Sequence, residues 1–185
     1  MCKKHESLGQ LRTPTDSQLS GWATKSHIVH KKDDAHGRWI MDFRPLNQAT
    51  VSVPIVIGDC GEKARSLSRR RLKSVFDLYA GFNQIEATER AARAMTILTS
   101  LGLRQWLVMP FGVRNGPAFF QLAMQRIFGD MLGDQMQQLR ATLEYFMDDG
   151  ALGTGDALES NPCRATDFAE HLIALDKILE RAIQH

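Results

Sequence analysis

Apolar residues in this chain come in short runs broken by turn residues, and two of those runs carry aspartates. Leu143-Glu144-Tyr145-Phe146-Met147 reads as a strand that runs into Asp148-Asp149-Gly150. Asp-Gly after an apolar run is a strong hairpin signal. Upstream, Val75-Phe76-Asp77-Leu78 sets a carboxylate inside a second strand-like run. Burial there is costly unless a cation or a donor meets the charge. Ile28-Val29-His30-Lys31-Lys32 and Trp39-Ile40-Met41-Asp42-Phe43 predict two short strands about a turn holding Asp33, Asp34 and Gly37. Val51 to Ile57 is extended and interrupted by Pro54, and a basic stretch follows from Arg65 to Lys73. After the Asp77 strand come a short turn or helix through Ala80-Gly81 and a polar surface segment, Glu86 to Arg93. Ala94 to Thr99 and Arg104 to Met109 predict a hairpin about Leu101-Gly102.

Helical spacing appears twice. Gly116-Pro117 opens a helix, proline suiting the first helical position, with Phe120, Ala123, Met124, Ile127, Phe128 and Met131 as its apolar stripe. Asp167-Phe168-Ala169-Glu170 reads as a capping-box start for a last helix. Its stripe of Phe168, Leu172, Leu175, Leu179 and Ala182 predicts core packing. Residues 1–19 are polar, with Pro14, Thr15, Asp16 and Ser17, and are expected as a poorly ordered lead-in.

Composition narrows the class without naming a chemistry. The chain has 185 residues, 43% of them hydrophobic and 24% charged, which fits one domain or two closely packed subdomains. A net charge of +2 means that nucleic-acid binding must come from local clusters. Cys2, Cys60 and Cys163 are an odd number at unpatterned spacing, fitting neither a zinc site nor a disulfide framework. The sequence shows no membrane span and no apolar leader, so an intracellular protein is expected, cytoplasmic or nuclear.

Brought together on neighbouring strands, Asp77, Asp148 and Asp149 would form a carboxylate cluster that needs divalent metal. Taken singly, Asp149 also reads as a turn residue and Asp77 as a strand-end residue. Asp148 to Glu159 places Asp, Gly, Asp and Glu at positions 1, 6, 9 and 12 of a calcium loop. Gly150 and Leu152 lack the side-chain oxygens needed at positions 3 and 5, so that match is accidental. Lys31, Lys32 and Arg38 read either as a solvated hairpin face or as cations over a triphosphate. Arg69-Arg70-Arg71 reads equally as a solvated run, a localisation patch or a phosphate-tracking surface.

In order along the chain, these pieces resemble a reverse transcriptase of the retrotransposon and retrovirus kind. Ser20-Gly21-Trp22-Ala23-Thr24 resembles the family's S-x-W-A-S segment, and Asp42-Phe43-Arg44-Pro45-Leu46-Asn47 its D-[FY]-R-x-L-N segment. Phe76-Asp77-Leu78-Tyr79-Ala80-Gly81-Phe82 resembles the first catalytic motif. Leu107 to Gln121 resembles L-x-M-P-F-G-L-x-N-A-P-x-x-F-Q, and Phe146-Met147-Asp148-Asp149 matches [YF]-x-D-D. Five motifs in the right order are very specific.

The resemblance implies an α+β fold, a polymerase palm of antiparallel sheet backed by helices with a small β-rich fingers subdomain and no thumb. Residues 20–185 would be the domain, with fingers at about 20–72 and part of 86–112 and palm in the remainder. The implied activity is RNA-directed DNA polymerase, with two Mg2+ ions, or Mn2+, held by Asp77 and Asp148 with Asp149 in support. Lys31 and Arg38 would contact the triphosphate. Phe82 would exclude a ribose 2′-hydroxyl, Phe111 and Gly112 would line the nucleotide pocket, and Met147 and Phe146 would lie at the primer end. Implied partners are a primed RNA or DNA template, dNTPs and a separate thumb or RNase H portion of a polyprotein. Without these parts weak activity is expected, and a non-catalytic remnant that at most binds nucleic acid is the alternative. Departures from the family are Gly150-Ala151-Leu152-Gly153 in place of a bulkier return strand, Gly116 for alanine, and Lys25 and His27 for proline and an apolar residue. Glycine predicts a less rigid return arm.

Overall fold

The computed structural model describes residues 1–31, 34–55, 58–132, 136, 138, 140–157, 163 and 165–184, with backbone alone for 31, 34–36 and 132. It is a mixed α/β chain that divides into two compact units, Met1–Val53 with Ala80–Gly116, and Pro54–Tyr79 with Pro117–His185.

In the first unit a five-stranded sheet runs in the order β1-β6-β5-β2-β3. Its strands are β1 (Leu11–Arg12), β2 (Thr24–Lys31), β3 (Asp34–Met41), β5 (Thr96–Thr99) and β6 (Gly102–Trp106). Every pairing is antiparallel except β2 with β5. Helices α1 (Cys2–Ser7), α2 (Arg44–Ala49) and α4 (Glu89–Ala94) complete the unit. Its core gathers Leu11, Phe43, Met95, Ile97 and Trp106. Residues 1–19, expected as a lead-in, hold α1 and β1. Pairing of β1 with β6 buries Leu11, and the His5 ring lies 5.0 Å from that of Trp106. The expected hairpin about Leu101-Gly102 is present as β5 and β6. Of the turn expected at Asp33, Asp34 and Gly37, Asp33 lies outside the described residues, while Asp34 and Gly37 belong to β3.

The second unit carries a three-stranded antiparallel sheet ordered β4-β8-β7, made of β4 (Arg70–Asp77), β7 (Ala141–Phe146) and β8 (Asp149–Asp156). Strand β7 alternates strictly, with Ala141, Leu143 and Tyr145 buried and the residues between them half-buried, as a one-sided sheet requires. Helix α5 (Gly116–Phe128) buries Phe120, Met124 and Phe128, three residues of the expected stripe. Helix α3 (Cys60–Ser68) was not anticipated. The Asp59 carboxylate caps it, accepting from the amides of Gly61 and Glu62 at 2.6 and 3.1 Å. Residues 54–72, grouped with the fingers from sequence, fall here because β4 pairs along its length with β8.

Helix α6 (Ala165–Gln184) corrects the sequence reading twice. Asp167 is not its cap but a buried residue inside the first turn, 3.8 Å from Arg71. The buried face is Asp167, His171, Ala174 and Ile178, while Phe168, Leu172 and Leu179 of the expected core stripe are about half exposed. Among the described residues, no helix is long and apolar enough to cross a membrane.

Candidate active site

The two aspartate runs meet in the second unit. Register pairs Asp77 at the end of β4 with Asp149 at the start of β8. Directly opposed residues of an antiparallel pair project to the same face. Phe146 pairs with Asp149 as well, so β7 and β8 are joined by the two residues Met147 and Asp148. The turn therefore precedes the Asp-Gly dipeptide that signalled it. A two-residue hairpin loop of the primed types requires positive φ at its first position, and Met147 supplies φ 53° without being glycine. The backbone of Asp148 is pinned from the other strand, since the Leu78 amide donates to its carbonyl at 2.9 Å. Three carboxylates thus stand at one end of the β4–β8–β7 ladder.

The local sequence makes this end of the sheet possible. A Cβ on Gly150 would lie 2.1 Å from the Phe76 ring, so only glycine lets that ring lie across the strand. A Cβ on Gly153 would meet Arg70 at 2.6 Å. The glycines expected to loosen the return arm instead admit neighbouring side chains, and β8 is the central strand, paired on both sides. Behind the hairpin, Lys63 of α3 donates to the Tyr145 carbonyl and lies 5.3 Å from its ring centre.

Electrostatically the site is unbalanced. Among the described residues, none of the three carboxylates has an ion-pair or side-chain hydrogen-bond partner. Asp42 offers a contrast, because Arg44 grips both of its oxygens at 2.7 Å and holds its pKa down to about 2. Like charges directly opposed on a sheet destabilise it, so the Asp77–Asp149 pair invites a cation. Among the described residues, no three His, Cys, Asp or Glu side chains are gathered closely enough to cage a metal by themselves. The all-oxygen set fits Mg2+, which takes one or two carboxylates and lets substrate phosphates complete its shell.

In the first unit, three expected nucleotide-site residues share one region. The Phe82 and Phe111 rings lie 5.1 Å apart, Phe82 buried and Phe111 exposed, and Gly112 follows with φ 92°. Sequence reading missed what holds this loop. Asn47 donates to the Gly112 carbonyl at 2.8 Å and accepts from the Arg114 amide at 2.7 Å. Asn115 bonds the backbone of Val51 and Val53. Both asparagines stand in the quoted motifs, but nothing local in the sequence marks them as loop ties. At Gly116, unusual against the resemblance, a Cβ would lie 3.2 Å from Val113 and 3.3 Å from Phe82, so those side chains would have to give by a few tenths of an ångström. Arg38 is exposed on β3, paired with Val29. Lys31 ends β2, its side chain outside the described atoms, and Lys32 lies outside the described residues. Lys25 and His27 are exposed on β2, where polar residues cost little.

Of the Arg69-Arg70-Arg71 run, Arg69 is exposed. Arg70 donates to the Arg140 carbonyl at 3.2 Å, and Arg71 faces Asp167. Two of the three arginines are thus engaged within the fold.

Known proteins match much of the chain. The chain is 34% identical over 117 residues to a retrovirus-related Pol polyprotein from transposon 297 of Drosophila melanogaster, covering 61% of this chain and 11% of that protein. It is 35% identical over 124 residues to a genome polyprotein of Petunia vein clearing virus, covering 64% of the chain and 6% of that protein. With a putative enzymatic polyprotein of Cassava vein mosaic virus it shares 28% identity over 123 residues, 65% of the chain and 19% of that protein. The chain therefore spans less than a fifth of these relatives. The model of the family described as reverse transcriptase (RNA-dependent DNA polymerase) matches residues 29–185, and the chain belongs to that family.

Proposed function

We propose that this chain is the RNA-directed DNA polymerase domain of a retroelement polyprotein, adding dNTPs to a primer 3′-hydroxyl on an RNA or DNA template. The observation that carries this reading is the opposed, unpaired Asp77–Asp149 pair beside the pinned Asp148 turn. In it, Asp77 and Asp148 would hold two Mg2+ ions, or Mn2+ in their place, with Asp149 in support. When bound, such ions would supply charge that lowers the pKa of the attacking hydroxyl and offsets that of the triphosphate. The chain's own residues position the reactants. Lys31 and Arg38 meet the triphosphate, Phe111 and Gly112 bound the nucleotide, and Phe82 fills the volume that a 2′-hydroxyl would need. Met147 and Phe146 sit at the primer end. On this reading the unit with the five-stranded sheet serves as fingers and the unit with the three-stranded sheet as palm.

Primer extension decides the matter. Purified chain, a primed RNA template, dNTPs and Mg2+ give elongated DNA, and Asp148→Asn lowers the rate by about a thousandfold or more, as expected when a group stabilising transition-state charge is removed. Equal extension by the wild type and by Asp148→Asn, in folded preparations, would sink the assignment.

A further inference from the structure

Helix α6 presents two rows of residues at heptad spacing, and the fold buries one of them. Asp167, His171, Ala174 and Ile178 are the buried row. Each is followed by a residue of a second row, Phe168, Leu172, Leu175 and Leu179, which therefore lies about 100° further round the helix. Ala165 and Ala182 extend this second row at its two ends, so that its steps alternate between three and four residues. Phe168 is 54% exposed, Leu172 49% and Leu179 48%, which makes a continuous strip of apolar surface rather than scattered single residues. Leu172, Leu175 and Leu179, with Ile173 and Asp176, line an open groove of about 410 Å3. A groove between such residues is the hole into which a facing helix sets a side chain as a knob.

The order of sizes along the row points to its occupant. From Ala165 through Phe168, Leu172, Leu175 and Leu179 to Ala182 it runs small, four large, small, and it reads the same from either end. A row of that kind complements itself when two copies run antiparallel about a two-fold axis, where one patch must fit its own image. Phe168 of one copy then faces Leu179 of the other, Leu172 faces Leu175, and Ala165 faces Ala182. The antiparallel arrangement also opposes the two helix dipoles, which a parallel one would align. We infer that α6 pairs in this way with α6 of a second copy of this chain. The exposed apolar surface amounts to roughly 400–500 Å2 per copy, against about 800 Å2 for a standard interface. The dimer is therefore weak, populated at about 100 µM and dispersed at about 1 µM. It requires no catalytic activity and stands apart from the polymerase reading.

Sedimentation velocity of the whole chain across that concentration range tests the pairing. Leu172→Glu weakens association by about tenfold or more, because each copy then sets a charge against an apolar side chain. Leu175→Lys weakens it likewise. Leu98→Glu, at a leucine of β5 that is 50% exposed, leaves it unchanged. Mixed in equal amounts, the Leu172→Glu and Leu175→Lys chains associate again, since the antiparallel pairing sets position 172 against position 175, whereas a parallel one sets 172 against 172. Circular dichroism confirms that each variant is folded, and Leu172, half exposed in the single chain, tolerates the change. A wild type that stays monomeric at about 100 µM overturns the inference and leaves the row to a protein of different sequence. Wild-type association by Leu172→Glu, or an equal loss from Leu98→Glu, overturns it by placing the contact on another surface. Folded variants whose mixture fails to associate overturn the antiparallel pairing itself.

Discussion

At the scale of single residues, the acidic end of the sheet depends on what is missing from position 150. The Phe76 ring lies where a Cβ on Gly150 would be, so Gly150→Ala displaces either the ring or the strand that begins with Asp149. Overpacking of this kind costs about 1–3 kcal/mol. Urea denaturation should show that loss for Gly150→Ala and a clearly smaller one when Phe76→Leu is combined with it. Equal costs in both backgrounds would mean that the contact does not set the strand. The arginine run gives a second expectation. Arg71 and Asp167 are both largely buried, so Arg71→Ala removes a cation from beside a buried carboxylate and costs about 2 kcal/mol, whereas exposed Arg69→Ala is close to neutral. Sequence alone left the three arginines indistinguishable, because which of them points inward depends on where α3 ends and β4 begins.

Among the elements, α6 shows why an apolar stripe is an incomplete guide. Leucines at helical spacing predicted the buried face, yet the sheet beneath offers polar partners. Ser74 of β4 meets His171 Nε2 at 2.9 Å, and Thr154 of β8 meets Nδ1 at 2.7 Å. Buried hydroxyls left unpaired would cost more than a half-exposed leucine, and small Ala174 lets the helix approach closely. By contrast, β7 was legible because strict alternation and one-sided burial coincide there. Burial lowers the His171 pKa below its ordinary 6.5. The unfolded chain then takes up the proton first. The stability tied to neutral His171 is complete above about pH 6.5 and is lost as pH falls through the folded-state value. Melting temperature should therefore fall between pH 7 and pH 5 in the wild type, with a flatter profile for His171→Gln. Parallel profiles would show that another group governs the acid limb.

For the whole molecule, net charge is a poor summary, since +2 conceals an unpaired acidic end of one sheet. The ordered motifs made the family legible, because each retains residue types that its local geometry demands. Asn47 and Asn115 stand inside those motifs, but their work of tying a loop emerges only when distant segments meet. The carboxylates admit a whole-chain measurement that needs neither primer nor turnover. If Asp77, Asp148 and Asp149 repel one another in the free chain, a divalent cation that relieves the repulsion binds the folded state preferentially and raises its stability by mass action. At about ten times the dissociation constant that gain is about 1.4 kcal/mol, which for a chain of this size raises Tm by about 3–6 °C. Titrating Mg2+ into the wild type should give that rise, and adding a chelator should reverse it. Asp77→Asn and Asp148→Asn should each lose most of the response while melting no lower than the wild type without metal, because each substitution removes one of the crowded charges. A rise of equal size in both variants would place the cation elsewhere in the chain, whatever the extension assay shows.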